Sequence, residues 1–232
     1  MADMGREEPD LSIIMPCLNE EQTVGICINE ATAFMQENEI RGEILVVDNG
    51  STDHSVRVAR EHGAKVISES LRGYGAAICT GMREASGKVL IIGDCDTTYD
   101  FLQIEGMYEM LASGEADMVI GNRYAGGIQK GAMPWSHICG VRFLSYLGRK
   151  KFHVNVYDFH CGLRGLTREV SEKLSFSTTG MEFATEMIAE ASRQEIRIAE
   201  MPVVLKKCIC KRTSKLRTIR DGLRHLRYIW KQ

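Results

Sequence analysis

Asp94 and Asp96 flank a single cysteine directly after the apolar run Val89–Ile92. Two carboxylates one residue apart, on the bend where a strand becomes a loop, can face one divalent cation. A hard cation of this kind takes oxygen ligands and bridges to phosphate oxygens. It also neutralises charge developing on a diphosphate leaving group. The pattern alone is weak, because acidic residues also cap helices and Asp100 precedes one. Other clusters raise its weight. Asp48-Asn49-Gly50-Ser51-Thr52-Asp53 follows the run Glu43–Val47. Asp48 there can accept hydrogen bonds from a base or a ribose, or simply close an Asx turn. Gly73-Tyr74-Gly75 opens a helix, where glycines let the backbone approach a phosphate or sugar and the helix N-terminus favours an anion. It is not a dinucleotide fingerprint, since it does not follow the first strand. Arg123, just past the run Asp117–Ile120, is a candidate phosphate clamp or a surface ion pair. The basic run of Lys206, Lys207, Lys211, Arg212, Lys215 and Arg217 surrounds Thr213-Ser214. It reads as a phosphate-binding loop or as a solvated charged face.

These residues need elements to hold them. Leu11–Met15, Glu43–Val47, Lys65–Ser68, Val89–Ile92 and Asp117–Ile120 read as short buried strands. Helical spacing covers Glu20–Asn38, Ser51–His62, Tyr74–Ala85 and Leu102–Ser113, with Ser51, Thr52 or Asp53 able to cap the second of these. Such alternation implies βαβ units, a mostly parallel sheet flanked by helices, and ligands bound beyond the carboxyl ends of the strands. The polar clusters, including Asn19-Glu20 and Asn122-Arg123, sit at those ends. The second half is less regular. Ala125–Pro134 reads as a glycine-rich loop, Trp135–Phe152 and Glu182–Arg193 as helices, Asp158–Gly165 as a loop or turn, and Ile198–Cys208 as containing a strand. Thr218–Trp230 reads as a basic amphipathic helix.

The chain has 232 residues, 44% of them hydrophobic, which suits one large α/β domain. A net charge of −2 gives no global field for nucleic acid. The opening segment Met1–Asp10 is polar and acidic, unlike a signal peptide. The eight cysteines are scattered, which suits reduced thiols better than a disulfide framework. Cys208 and Cys210 lack a second pair at zinc-like spacing and read as strand residues. No run reaches the roughly 18 apolar residues that a membrane span requires.

In series, these pieces resemble family-2 glycosyltransferases of the GT-A fold, and most of all the polyprenyl-phosphate (dolichyl-phosphate) sugar synthases. The resemblance rests on Pro16-Cys17-Leu18-Asn19-Glu20, Asp48 to Asp53, Gly73-Tyr74-Gly75, Asp94-Cys95-Asp96, Gly121-Asn122-Arg123-Tyr124, Asp158-Phe159-His160-Cys161-Gly162-Leu163-Arg164 and Ser214-Lys215-Leu216. It implies a domain over residues 1–206 and a basic loop and helix over 207–232 that contacts a membrane or another subunit. It implies that Pro16, Leu18, Glu20 and Asp48 line the nucleotide pocket, with Gly75 also at the ligand. Asp94 and Asp96 would serve Mg2+ or Mn2+ on the diphosphate, and Arg123 a donor or acceptor phosphate. Arg212, Ser214 and Lys215 would close over bound nucleotide. The implied reaction is inverting transfer from a nucleotide-sugar, a UDP-sugar favoured over a GDP-sugar, to a polyprenyl phosphate at the cytoplasmic face of a membrane. With a soluble or protein-linked hydroxyl acceptor instead, Asp158 is the candidate base; a module that binds sugar nucleotide without turnover is the non-enzymatic alternative.

Three departures from the mannose synthases stand out. Thr98 occupies the place of a glutamine in the metal shell. His137 and Ile138 stand where an arginine would meet lipid phosphate, with Arg142 one turn later as its substitute. Asn49 replaces the second acid of the usual Asp-Asp pair.

Overall fold

The structure, a computed structural model, describes residues 8–210 and 218–232, with side chains from residue 222 in the second range. Within these residues the strands form one seven-stranded sheet in the order β3-β2-β1-β4-β6-β5-β7. The left half is the expected parallel unit. β1 (Leu11–Cys17) lies between β2 (Gly42–Asp48) and β4 (Val89–Ile92), and β3 (Lys65–Ser68) pairs with β2, all in parallel. Leu11, Ile13, Ile14, Leu45, Val46, Val47, Leu90, Ile91 and Ile92 are all buried, because helices cover both faces and the strands need apolar side chains on each. The covering helices here are α1 (Val24–Glu37), α2 (Ser55–Glu61) and α3 (Tyr74–Glu84). Gly81 makes the α3 contact close: a Cβ there would stand 2.3 Å from Ile14 Cγ2.

The right half differs from the expectation in one element. Asp158–Gly165 was expected as a loop or turn, but the chain enters a strand at Arg164. This strand, β6 (Arg164–Thr167), runs antiparallel to both β4 and β5 (Met118–Asn122). β7 (Ile198–Pro202) then pairs in parallel with β5. The strand expected within Ile198–Cys208 stops at Pro202, apart from a single bridge from Leu205 to Ile128, so Cys208 and Cys210 lie past it. The helix expected over Leu102–Ser113 divides into a 3-10 turn, Phe101–Gln103, and α4 (Glu105–Ala112). Asp100 holds the turn by accepting from the Leu102 N–H at 3.1 Å.

The remaining helices build one end of the site. α5 (Arg123–Gly126) is a single turn whose start is capped by Asn122, which accepts from the N–H groups of Tyr124 and Ala125. α6 (Trp135–Phe152), α8 (Phe183–Arg193) and α9 (Thr218–Lys231) pack on one another, while the short α7 (Arg168–Lys173) follows β6. Tyr228 and Ile229 of α9 belong to the main core. No helix of the described residues is long and apolar enough to cross a membrane.

Candidate active site

The carboxyl ends of β1, β2 and β4 converge on a cavity of about 370 Å3. Pro16, Leu18, Glu20, Asn49, Arg72, Gly73, Tyr74, Asp94 and Asp96 line it. The loops are tied to one another before any ligand arrives. Asn19, at φ 53°, accepts from the Thr52 N–H at 2.7 Å, and its own N–H donates to Ser51 Oγ at 2.9 Å. Asp53 accepts from the N–H groups of Ser55 and Glu21 just before α2, but the N-cap position of that helix is His54, with no side-chain cap bond, so none of the three candidate caps occupies it. Asn49 explains the missing acid. Its amide donates to the carbonyls of Glu69 and Leu71 and accepts from the Gly73 N–H at 2.8 Å. An ionised aspartate only accepts hydrogen bonds and could not make the two donations. Arg72, which the sequence reading passed over, brings a cation to this cavity, donating to the carbonyls of Asn49 and Gly50.

Two expected ligand residues have other partners. Asp48 is buried and accepts from the N–H groups of Gly50 at 3.2 Å and Ser51 at 3.0 Å; it closes the turn and is not among the residues lining the cavity. Gly75 packs closely against the start of α8. A Cβ on it would stand 2.7 Å from Phe183 Cβ, and one on Gly73, at φ 148°, would stand 2.0 Å from the Thr179 carbonyl oxygen. The Gly-Tyr-Gly motif brings α3 against the backbone of Thr178 and Thr179, and so sets where Tyr74 stands.

A second cavity, about 500 Å3, opens on the other side of Asp94 and Asp96. Its walls are largely apolar: Met133, Val141, Phe143 and Leu144 near or on α6, Leu205 after β7, and Leu223 and Leu226 on α9. Arg123 lines it at its polar end, together with Thr98, Tyr99, His160 and Arg164. The two cavities share Tyr74, Asp94, Asp96 and Met181.

Asp96 accepts from the Thr98 N–H at 3.0 Å and from the Thr98 hydroxyl. Thr98 thus orients the carboxylate. Thr97, between them, has φ 64°. A β-branched residue in that region is strained, and such strain persists only where surrounding contacts enforce it. Here the Thr97 hydroxyl donates to the Asp96 carbonyl and accepts from the Ile209 N–H.

The expected clamp and the expected base turn out to be partners. Arg123 donates from Nε and Nη2 to the two oxygens of Asp158, both at 2.7 Å, and its backbone N–H adds a third bond at 3.1 Å. Asp158 is fully buried and Arg123 nearly so. Asp158 therefore cannot be a solvent-facing base; it is the counter-ion that fixes the guanidinium at the cavity wall. Glu200, on β7, supports this pair from below, accepting from the N–H groups of Tyr157 and Asp158 and from the Asn122 amide. Burial pushes its carboxyl pKa up. No sequence signal marked Glu200, because it lies far from every motif. Arg164 is a fully buried guanidinium that donates to the carbonyls of Phe159, Cys161 and Ala184. It shapes the loop between Asp158 and β6. Arg142 stacks over the Tyr124 ring at 5.3 Å, outside the cavity lining, while His137 lines it. Arg212, Ser214 and Lys215 lie outside the described residues.

His160 and His225 meet edge to face, Nε2 to Nδ1 at 3.2 Å, and Thr185 Oγ1 is 2.8 Å from His225 Nδ1. Burial, then His225, Arg123 and Arg164, depress the His160 pKa well below its ordinary value. The unfolded chain carries this histidine at about 6.5, so below that pH it binds a proton that the folded chain refuses. The contribution to stability is complete above the unfolded value and is lost as pH falls toward the depressed folded one. We expect the unfolding temperature to drop between about pH 7 and about pH 5, the window spanning the unfolded value, and His160→Gln to flatten that dependence; an unchanged slope would refute the assignment.

Comparison with known proteins agrees with this geometry. Residues 12–175 match the family described as "Glycosyl transferase family 2". The low-salt glycan biosynthesis hexosyltransferase Agl6 of Haloferax volcanii is 37% identical over 95% of this chain, which spans about half of that protein, 53%. The dolichyl-phosphate hexose transferase of the same organism is 28% identical, covering 84% of this chain and 82% of its own. Among solved structures, glucosyl-3-phosphoglycerate synthase from Mycobacterium tuberculosis, in complex with Mn2+, UDP-glucose and phosphoglyceric acid, superposes with a TM-score of 0.76 at 20% identity, covering 95% of this chain and 79% of that one. The family match over most of the chain and the shared architecture establish that this protein belongs to glycosyl transferase family 2 and has the GT-A fold.

Proposed function

We propose that the chain is an inverting, metal-dependent transferase that moves a sugar from a nucleotide-diphosphate sugar, with a UDP-sugar favoured, to a polyprenyl phosphate. One observation carries this reading: a largely apolar cavity from α6 to α9 opens directly on the Asp94–Asp96 bend and on Arg123. An isoprenoid chain suits the apolar walls and a phosphate suits the guanidinium. The name of the Haloferax dolichyl-phosphate hexose transferase supports the acceptor, and the UDP-glucose and Mn2+ complexes of the mycobacterial structure support the donor and cation. The polar cavity on the other side of the bend would take the nucleotide, with Pro16, Leu18, Glu20 and Arg72 around it.

The residues fit a divalent cation on the diphosphate. Asp96 is held by Thr98 at the junction of the two cavities, and a hard cation accepts carboxylate and phosphate oxygens together. Bound there, the cation would supply neutralisation of charge on the leaving diphosphate. The chain's own residues would position the rest. The acceptor phosphate oxygen attacks the anomeric carbon as the bond to the diphosphate breaks on the opposite face. A phosphate is already an anion, so the step needs alignment and charge stabilisation more than a base. That matches a site in which Asp158 is committed to Arg123, and it weighs against a hydroxyl acceptor served by Asp158.

Docking on an anionic membrane belongs to the same reading. Trp135, Phe143 and Tyr146 on α6 and Leu223 and Trp230 on α9 are exposed. Arg142, Lys150, Lys151 and Lys231 lie on the same two helices, the composition of a helix that rests in a membrane interface. The deciding assay supplies Mn2+ or Mg2+, UDP- and GDP-sugars, and either a short polyprenyl phosphate or a soluble phosphorylated hydroxyl acceptor. Lipid-linked sugar is the expected product; turnover with the soluble acceptor alone would overturn the acceptor assignment.

A further inference from the structure

The guanidinium groups of the apolar cavity are already committed. Asp158 accepts from Nε and Nη2 of Arg123, so that pair carries no net charge. Arg164 turns Nε, Nη1 and Nη2 to the carbonyls of Cys161, Ala184 and Phe159. A phosphate in this cavity needs a further source of positive charge. His160 and His225 line the same wall. They come from separate elements, the loop before β6 and α9, and Thr185 of α8 joins them. His160 Nε2 stands 3.2 Å from His225 Nδ1. Thr185 Oγ1 is 3.4 Å from the first of these atoms and 2.8 Å from the second. The loop presents His160 in one placement. Arg164 draws in the carbonyls of Phe159 and Cys161 on either side of it, and Asp158 accepts from the His160 N–H at 3.4 Å. The second ring nitrogen of His160, Nδ1, is buried with no hydrogen-bond partner among the described residues.

We propose that His160 and His225 bind the phosphate monoester of the acceptor, and that the pair takes up one proton as that anion enters the cavity. This deepens the acceptor reading given above and rests on it. A neutral imidazole has one donor and one acceptor nitrogen, whereas an imidazolium has two donors. With Nε2 of one ring facing Nδ1 of the other, one N–H is spent between them. One more proton turns the pair into an imidazole and an imidazolium, with a donor to spare for a phosphate oxygen. In the free cavity, burial, then His225, Arg123 and Arg164, oppose that charge on His160. An entering dianion reverses the balance, since a nearby opposite charge favours the charged form. Other groups face the pair across the cavity: His137 from α6, Tyr74 from α3, and Asp94, Asp96 and Tyr99 from the segment after β4. Arg224, beside His225 on α9, is paired with Glu182 at 2.8 Å. The two aspartates repel an anion until their own cation is bound, which makes a proton on the histidines the contribution of this wall. An unphosphorylated alcohol brings no charge and leaves the pair neutral. The histidines would therefore separate a phosphorylated acceptor from its parent alcohol, which the apolar walls alone would not.

The test is calorimetry on the full chain with UDP and Mn2+ present. The probes are a short isoprenyl monophosphate, the matching isoprenyl alcohol and inorganic phosphate. Each is titrated at about pH 7.5, where a monoester with its second pKa at about 6 is already a dianion. Two buffers of different ionisation enthalpy then report the protons exchanged. The expected result for the unaltered chain is uptake of about one half to one proton with the monophosphate and none with the alcohol. Affinity for the monophosphate should exceed that for the alcohol by about tenfold or more, the scale of a charge-assisted hydrogen bond. His160→Gln and His225→Gln, checked for folding by their unfolding temperatures, should each abolish the uptake and the preference while leaving alcohol binding unchanged. Monophosphate binding without proton uptake in the unaltered chain would overturn the proposal, and that arm needs no substitution. Uptake that survives both substitutions would overturn it as well, because the proton would then lie elsewhere. Inorganic phosphate bound as tightly as the isoprenyl monophosphate would overturn the assignment to a lipid acceptor. Failure of the unaltered chain to bind the monophosphate at all would overturn the acceptor reading itself, and it is seen before any proton is counted.

Discussion

Asp96→Ala is expected to lower kcat/KM for sugar transfer by about 10³-fold or more, roughly 4 kcal/mol of transition-state stabilisation. The reason lies in where Asp96 sits. It is at the end of β4, oriented by two hydrogen bonds from Thr98, and it lines both cavities. On the proposed reading it is the principal protein anchor for the cation that offsets charge on the leaving diphosphate. The same substitution should remove the Mn2+ dependence of nucleotide binding while leaving the fold intact, because Asp96 is not part of the hydrophobic core. Steady-state kinetics and a metal titration of nucleotide affinity check both halves. A variant that retains more than about a tenth of the activity, well short of the loss typical for such a group, would remove Asp96 from this role. Thr98→Val should be milder and in the same direction, since it frees the carboxylate without deleting it.

The second large effect concerns stability. Asp158→Ala should destabilise the protein by about 3–5 kcal/mol, because it leaves the Arg123 guanidinium buried without its counter-ion. Three bonds tie the pair together, and Asp158 has no exposure to water that could replace them. Denaturant unfolding measures the loss. The double variant Arg123→Met with Asp158→Leu should recover most of the stability, since a well-packed apolar pair often matches a buried ion pair. It should not recover activity if Arg123 contacts a phosphate. Recovery of stability together with activity would reduce the pair to a structural tie; failure of the single variant to destabilise would show that the pair is not closed in solution. In the first case the acceptor phosphate would need another cation, and Arg164 is the buried guanidinium that also lines the cavity.

Much of the parallel half was readable because each strand there is a short run of apolar residues with a polar cluster at its end. Ile13, Ile14, Leu45, Val46, Leu90 and Ile91 are buried on both faces of the sheet, so burial imposes a continuous pattern that needs no tertiary knowledge. β6 was not readable. Its four residues Arg-Gly-Leu-Thr include a charge and a glycine, which ordinarily mark a loop. Arg164 is nevertheless fully buried, because three backbone carbonyls from two segments accept its N–H groups. Gly165 is there because a Cβ would stand 2.6 Å from Leu111 Cδ1 on α4. Both reasons come from parts of the chain that are distant in sequence.

The site divides in the same way. The sequence by itself determined which strand ends carry polar clusters, and hence that Asp94, Asp96, Glu20 and Arg123 gather at one edge of the sheet. The parallel βαβ order forces this, since successive strands point the same way and their loops share one rim. Only the tertiary structure decided what each group is committed to. Asp158 and Arg123, 35 residues apart, turned out to be each other's partner. Gly75 lets α3 approach α8, and Asp48 closes its own turn. Thr98 steers Asp96. A local pattern can say that a carboxylate stands at a strand end, but the direction of its lone pairs depends on donors that arrive from elsewhere in the fold, and these appear only once the chain has closed around them.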